Sequence, residues 1–260
     1  MLAACVWTLP GSLRKAQCRA GGTTCNFGES TLRKLGLIGG MSWVSTRTYY
    51  EHINRLVQAR TTKLASAPLL IESLDFTDLA RISTPEQWNA ATDVLIASAR
   101  RLEAAGATAL IIGANSMHKI YDKVAASVAV PVIHIADCVG TRMERDGITS
   151  AALIGTRNVM LESFYRQRLI AHGVTLLAPV MDNVAEIDRI IYDELMQGSA
   201  TRAAERTFKT LITVMGQAGA QAVVLGCTEL EMVIDVDANV LPIYDGTEIH
   251  AQAAVDWILS

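Results

Sequence analysis

Aromatic side chains are scarce in this chain: Phe, Trp and Tyr make up 5% of its 260 residues, and charged residues only 19%. Long apolar runs are missing too, since no uninterrupted stretch reaches the roughly 18 residues a bilayer-spanning helix needs. A basic excess is also lacking. Lys and Arg number 23 against 26 Asp and Glu, a net charge of −3, so the overall charge carries no nucleic-acid footprint. Cysteine is sparse and shows no pairing pattern. Cys5, Cys18, Cys25, Cys138 and Cys227 form no CxxC and no Cys/His spacing, which argues against a zinc motif and against a disulfide framework. What is abundant is aliphatic: hydrophobic residues fill 50% of the chain, which excludes general disorder and allows a sizeable core. The expectation is a soluble globular protein of one or two domains with reduced thiols, cytoplasmic, with neither nucleic acid nor membrane as partner.

Residues 1–33 depart from the rest. They hold Pro10, Gly11, Gly21, Gly22, Gly28 and three of the cysteines. The apolar run Leu2–Leu9 precedes the basic Arg14, Lys15 and Arg19, the reverse of a secretory signal. Glu29 is the sole acid there, an acid-poor profile shared with organelle transit peptides. The preferred reading is a disordered leader.

From Leu35 onward, short aliphatic runs alternate with helical patterns. Strands are predicted at Lys34–Gly39, Pro68–Leu74, Ala109–Gly113, Val132–Ile135, Ser150–Gly155, Val174–Leu177, Ala222–Gly226 and Leu241–Tyr244. Helices are predicted at Trp88–Ala105, Asn158–Ala171, Glu186–Gln197 and Thr201–Gln217. Alternation of this kind argues a doubly wound, parallel α/β architecture. The strands read as continuous apolar runs, as strands covered by helices on both faces do.

An internal repeat sharpens this. Gly106-Ala-Thr-Ala-Leu-Ile-Ile-Gly-Ala114-Asn-Ser116 matches Gly219-Ala-Gln-Ala-Val-Val-Leu-Gly-Cys227-Thr-Glu229 at one constant offset. A weaker pair is Leu37-Ile-Gly39 against Leu153-Ile-Gly155. Two similar α/β halves are the expected product. Ala114 and Cys227 then fall at the carboxyl ends of equivalent strands, where open parallel sheets collect ligands. Polar residues follow each: Asn115 and Ser116 in one half, Thr228 in the other. A helix N-terminus there makes an anion site and lowers the pKa of a thiol. Cys227 is therefore a candidate proton acceptor or nucleophile. The other reading is a buried cysteine serving as a small hydrophobe.

Several separated segments carry a family resemblance. Leu35-Gly-Leu-Ile-Gly-Gly-Met41-Ser42-Trp43, Asn115-Ser116-Met117-His118 and Gly226-Cys227-Thr228-Glu229 resemble the aspartate/glutamate racemase family. Phe164-Tyr-Arg-Gln-Arg-Leu169, Ile190-Ile-Tyr-Asp-Glu-Leu195 and Tyr244-Asp-Gly-Thr-Glu-Ile-His250 extend the likeness from about Arg33 to Ser260. It is nearest to the bacterial branch of broad-specificity amino-acid racemases.

The resemblance implies two similar doubly wound parallel-sheet domains, related by pseudo-two-fold symmetry, with substrate between them. It implies isomerase chemistry in amino-acid metabolism: opposed thiols, one per domain, remove and return the α-proton of an acidic amino acid or similar carboxylate. Neither pyridoxal phosphate nor metal takes part, so no cofactor is expected. Members often form dimers, so a homodimer is the expected assembly. The first domain is expected at 34–130 plus the C-terminal 243–260, the second at 131–242.

One departure stands out. The family's first catalytic position, usually Cys and sometimes Thr, is Ala114 here, which cannot exchange a proton. Cys227 remains as the matching catalytic residue, and loss of one general acid or base costs about 10²–10⁴-fold. Water, Ser116 or His118 are candidate stand-ins. Two other outcomes stay open: one-sided protonation of the kind arylmalonate decarboxylases perform with a single cysteine, or a carboxylate-binding protein without turnover.

By resemblance, Met41, Ser42 and Thr46 contact substrate, with an ordinary strand-to-helix turn as the other reading for Thr46. Asn115 and Ser116 bind a carboxylate, cap a helix, or do both, and Thr228 has the same two readings. Glu229 meets the substrate amino group or orients Cys227, against a solvated first-turn acid. His118 is a proton relay or a hydrogen-bonded structural histidine. His250 opens the last helix and either matches the family's pattern as a site residue or anchors the helix, and His134 belongs to the core. Arg47 and Arg81 are candidate carboxylate clamps on charge grounds alone. Gly36, Gly39 and Gly40 spell G-x-x-G-G rather than G-x-G-x-x-G, so a dinucleotide site is rejected.

Overall fold

The computed structural model describes residues 32–260, so the expected leader lies outside the described residues but for its last two positions. The first half runs β1 (Leu35–Gly39), α1 (Trp43–Arg60), β2 (Leu69–Ser73), α2 (Pro85–Ala104), β3 (Ala109–Ile112), α3 (Tyr121–Ala125) and β4 (Val132–Ile133). The chain continues through α4 (Ile135–Arg145), β5 (Ser150–Gly155), α5 (Arg157–Leu161), α6 (Ser163–Ala171), β6 (Thr175–Leu176) and α7 (Met181–Asp193). It ends with α8 (Arg202–Gln217), β7 (Ala222–Gly226), β8 (Ile243–Asp245) and α9 (Gly246–Leu259).

These strands form two four-stranded sheets, ordered β2-β1-β3-β4 and β6-β5-β7-β8, and every pairing is parallel. The order is the same in both. In each sheet the chain reverses its winding between the first and third strands, β1 and β3 or β5 and β7. That reversal opens a crevice at the strands' carboxyl ends. Strands β1, β3 and β7 are buried along their whole length, which explains why they read as unbroken apolar runs.

Helix α2 shows how sequence sets one covering element. Thr84 caps it, Gln87 returns the bond, and Pro85 opens its first turn, a capping box with its preferred entry residue. Trp88, Ala91, Leu95, Ala99 and Leu102 then recur at helical spacing and are buried, joining Ile38, Leu110 and Ile112 beneath them. Each fully buried side chain of this size contributes about 1.5–3 kcal/mol.

The C-terminal helix returns to the first sheet. Ala251, Ala254, Val255 and Ile258 of α9 pack with Leu35, Leu37, Tyr49 and Ile53. His250 fixes this return. Its Nε2–H donates to the Ile133 carbonyl at 3.1 Å, so Nδ1 is left to accept from the Tyr49 hydroxyl at 2.8 Å. This is the anchoring role, one of the two readings of His250.

Three expectations are corrected. Val132–Ile133 pairs with β3 and so belongs to the first sheet, while Ile243–Asp245 pairs with β7 and belongs to the second. Each boundary expected between domains, at 131 and 243, therefore falls one strand too early. The helix expected over Asn158–Ala171 breaks at Glu162, whose backbone is extended at φ −84° and ψ 157°, and whose carboxylate reaches Lys119 at 2.7 Å.

Candidate active site

The turn after β1 is built around two hydroxyls. Ser42 caps α1, accepting from the Ser45 amide at 3.3 Å. Thr46 folds back over the strand end: Oγ1 accepts from the Gly40 amide at 2.7 Å and donates to the Ser42 carbonyl at 3.0 Å. A Cβ on Gly39 would lie 2.7 Å from that same Oγ1, so glycine is required where the threonine closes in. The Thr46 hydroxyl thus donates once and accepts once inside the turn, in keeping with its structural reading.

Helix α1 has no acid in its first turn, where a negative charge would complement the helix dipole. The acid comes instead from the other half of the chain. Glu229, 2% exposed, accepts from Ser42 Oγ and from Ser45 Oγ, both at 2.7 Å and both on Oε1. Its second oxygen, Oε2, accepts from the Cys227 thiol at 3.1 Å. One turn further along α1, Thr48 donates to Glu231 at 3.1 Å, and His52 lies 3.6 Å from the same carboxylate. Glu229 is therefore not a solvated acid. It is a buried link between α1 and the residue that follows β7.

Cys227 is 5% exposed. The thiol is not activated as the sequence suggested. Burial first, and then the Glu229 charge, push it well above the ordinary thiol value. Two features explain the reversal. The helix it precedes is only a five-residue 3-10 turn, Thr228–Met232, with little dipole to offer. The low-dielectric surroundings disfavour an anion. At rest the sulfur holds its proton and points it at a carboxylate.

The equivalent turn after β3 carries Ala114, 7% exposed and packed with Met41 and Met117. Met41 is thus a core residue beside the site. Asn115 does not cap the next turn: its backbone is already helical at φ −58° and ψ −45°, whereas a capping side chain reaches its amide from extended backbone. Its buried Oδ1 finds no hydrogen-bond partner among the described residues. Ser116, half-buried, opens that turn. Thr228 opens the other, accepting from the Thr247 hydroxyl at 3.2 Å.

His118 donates from Nε2 to the Ile112 carbonyl at 3.3 Å, and its buried Nδ1 has no partner among the described residues. Burial, then the neighbouring His134 and His250, hold its pKa well below the usual histidine value. His134, with its ring centroid 4.4 Å from that of His118, accepts from the Ala136 amide and caps α4. It is a satisfied core residue.

A cleft of about 580 Å³ opens between the halves, lined by Ser42 and Trp43 on one side and Tyr192 and Asp193 on the other. Cys227 does not line it; it is linked to the lining residue Ser42 through Glu229. Arg81, also in the cleft, is no free clamp. Its guanidinium is paired with Asp193 and lies 4.7 Å from the Tyr192 ring centre. Its φ of 52° is uncommon for a residue with a side chain. Arg47 sits over the exposed Trp43 ring at 5.8 Å.

Two polar residues escaped sequence reasoning. Ser45 is one, its signal being no more than a place three residues beyond the cap. Thr156 is the other. It follows β5, is buried, and its Oγ1 has no partner among the described residues. The match of Leu153-Ile-Gly155 to Leu37-Ile-Gly39 puts Thr156 at the station Gly40 holds in the first half.

Comparison with known proteins agrees with this fold. The crystal structure of a provisionally named Asp/Glu racemase from Yersinia pestis is 35% identical, with a TM-score of 0.81, covering 88% of this chain and 100% of that one. An aspartate racemase homologue from Pyrococcus horikoshii OT3 is 29% identical, with a TM-score of 0.78 and the same coverage of 88% and 100%. The broad-specificity amino-acid racemase RacX of Bacillus subtilis is 20% identical over 234 residues, 87% of this chain and 98% of its own. The family description Asp/Glu/Hydantoin racemase matches residues 38–254. With two parallel α/β sheets and a thiol–carboxylate pair beside the cleft, this chain belongs to the Asp/Glu/hydantoin racemase family.

Proposed function

We propose that this chain is an amino-acid racemase in which Cys227 carries the α-proton of an acidic amino acid or similar α-substituted carboxylate. The observation that carries the reading is the thiol-to-carboxylate hydrogen bond from Cys227 to Glu229, 3.1 Å long, at the carboxyl end of β7. In the forward step, Glu229 Oε2 takes the thiol proton, and the thiolate sulfur takes the proton from Cα. The electron pair left on carbon passes into the adjacent carboxylate as an enolate. In the return step the thiol gives its proton to carbon and recovers one from Glu229. Each step is a proton transfer, so the balance calls for no redox partner and no cofactor. The unpartnered Asn115 Oδ1 and Thr156 Oγ1 are proposed to meet the substrate's polar groups, with Ser116 and Thr228 beside them. The chemistry needs a reduced thiol, in keeping with a cytoplasmic setting.

Inversion needs a proton donor on the opposite face, and Ala114 offers only a methyl group. Ser116, His118 or a water is proposed to serve there, at a cost of about 10²–10⁴ in rate relative to a second thiol. The same alanine favours a second reading: one-sided protonation after decarboxylation of a malonate. Incubation with aspartate, glutamate and other amino acids in D₂O, followed by NMR and chiral analysis, separates the two. Inversion with solvent deuterium at Cα supports the racemase. Carbon dioxide release from an aryl malonate, without exchange on amino acids, supports the decarboxylase. Tight binding of a carboxylate with neither reaction leaves a binding protein and overturns both.

A further inference from the structure

Three residues of α1, Ser45, Thr48 and His52, fall on one helical face at i, i+3 and i+7. All three address acids that follow Cys227: Ser45 donates to Glu229 at 2.7 Å, Thr48 to Glu231 at 3.1 Å, and His52 lies 3.6 Å from Glu231. Ser42, at the head of the same helix, adds a second donor to Glu229 at 2.7 Å. The first half of the chain supplies every one of these groups, and the second half supplies both carboxylates. Val44, Tyr49, Ile53 and Val57 of the same helix are buried, while Trp43, Arg47 and Tyr50 face solvent.

The division of labour on Glu229 is specific. Both serine hydroxyls take Oε1, which leaves Oε2 to the thiol. A carboxylate free to rotate would offer either oxygen to either set of donors. Here the serines fix which oxygen faces sulfur, and they do so only while the two halves are in contact. Cys227 itself is buried in an apolar cluster of the second half with Met160, Ile187 and Leu230.

We infer that Ser45 is a positioning residue that couples closure of the two halves to proton transfer at Cys227: its hydroxyl orients Glu229 toward the thiol and pins α1 over it. This rests on the proton-carrying role proposed for Cys227, and it adds a residue that touches neither the sulfur nor the carbon acid. Ser45 is a better probe than Ser42, whose side chain also caps the helix.

The test uses four full-length proteins: wild type, Ser45→Ala, Glu229→Gln and the double variant. Each is read by kcat and KM for α-proton exchange and by the rate at which iodoacetamide alkylates Cys227, followed by peptide mass. The second readout needs no turnover. Loss of one hydrogen bond to a charged group predicts a change of about ten-fold or more. Ser45→Ala is therefore expected to lower kcat about ten-fold with KM within about two-fold, and to speed alkylation about ten-fold. Ser45→Thr, which keeps the hydroxyl, is expected to restore most of both. In the Glu229→Gln background, Ser45→Ala is expected to change each quantity less than about two-fold.

Additive effects in the double variant, or an unchanged alkylation rate in Ser45→Ala, overturn the coupling. A wild type that exchanges no α-proton, yet shows the non-additive alkylation cycle, removes the racemase reading and leaves the coupling standing. Cys227-dependent exchange with an additive cycle does the opposite. A Ser45→Ala protein that fails to fold shifts the test to Ser45→Thr and Ser45→Cys, whose alkylation rates are then compared directly. Equal rates in those two count against the coupling.

Discussion

Cys227 and Glu229, two residues apart in sequence, are joined side chain to side chain: the thiol donates to Oε2 across 3.1 Å in a buried setting. The carboxylate both receives the thiol's proton bond and raises the energy of the thiolate beside it. Replacing Glu229 by Gln keeps the shape and removes the charge. The Glu229 charge, which after burial does most to push the thiol upward, then disappears, so the pH at which Cys227 becomes reactive is expected to move down. Catalysis is expected to move the other way, falling about 10²-fold or more, because the acceptor for the thiol proton is gone. Alkylation rate against pH and kcat, measured on the same sample, check the pair of outcomes. An upward or absent pH shift contradicts it.

Ala114→Cys tests the missing opposite face. The site is buried, and the change adds one sulfur atom to a packed cluster, so a modest loss of stability is expected. If the equivalent turns after β3 and β7 flank one carbon, racemisation is expected to rise by a factor within the 10²–10⁴ range of a general acid or base. No gain on any amino acid would argue against two-base geometry. The gain should vanish when Cys227→Ser is added.

Thr46 separates turn structure from substrate contact. Because its hydroxyl donates to Ser42 and accepts from Gly40 within the turn, Thr46→Ala is expected to lower stability by about 1 kcal/mol while KM stays within about two-fold. Gly39→Ala alone forces a Cβ to within 2.7 Å of Thr46 Oγ1 and is expected to cost about 1–3 kcal/mol. Combined with Thr46→Ala, which deletes the clashing atom, the loss should be less than additive. Urea unfolding of the three variants reads this directly, and strict additivity would contradict the contact.

The buried histidines predict acid lability. Burial lowers the pKa of His134 to about 3 and of His250 to about 4, and moves His118 in the same direction. Each stays neutral in the folded chain while its unfolded form gains a proton below about pH 6.5. Stability from these three is complete above that pH and is lost as pH falls toward the folded values, by up to about 1.4 kcal/mol per pH unit for each. Asp245 acts oppositely: raised to about 6 by burial, it contributes stability below its unfolded value that is lost as pH rises through 6. Three groups against one leave a net loss on acidification between about pH 6.5 and 4. A urea midpoint that stays level over that window would contradict this, and His250→Gln should flatten the slope.

Much of this was legible in the sequence. All eight strands fall within a residue or two of the aliphatic runs, and β1, β3 and β7, buried along their whole length, leave no polar alternation to confuse. Cys227 and Ala114 could be placed at strand ends because the repeat carries its glycines with it. A Cβ on Gly113 would lie 3.0 Å from Leu37 Cδ1, and one on Gly226 would lie 2.7 Å from Val159 Cγ1, so both strand ends leave little room for a side chain. The two-residue strand Val132–Ile133 pairs with β3 in the first sheet, and so short a run does not reveal its partner in the sequence. The site's chemistry was less legible. The Ser42–Glu229 and Ser45–Glu229 bonds join positions 187 and 184 residues apart, and no local pattern marks them. The thiol's pKa was misjudged in direction because a motif shows the helix start but not the depth of burial. Asn115 has the identity of a cap and the wrong backbone for one.

The most direct measurement is deuterium incorporation at Cα of aspartate and glutamate in D₂O, with wild type and Cys227→Ser compared by proton NMR. The expected result is loss of the α-proton signal with wild type at a rate at least about 10²-fold above that of the serine variant. Equal exchange in the two proteins would contradict the assignment of Cys227 as the residue that carries the proton.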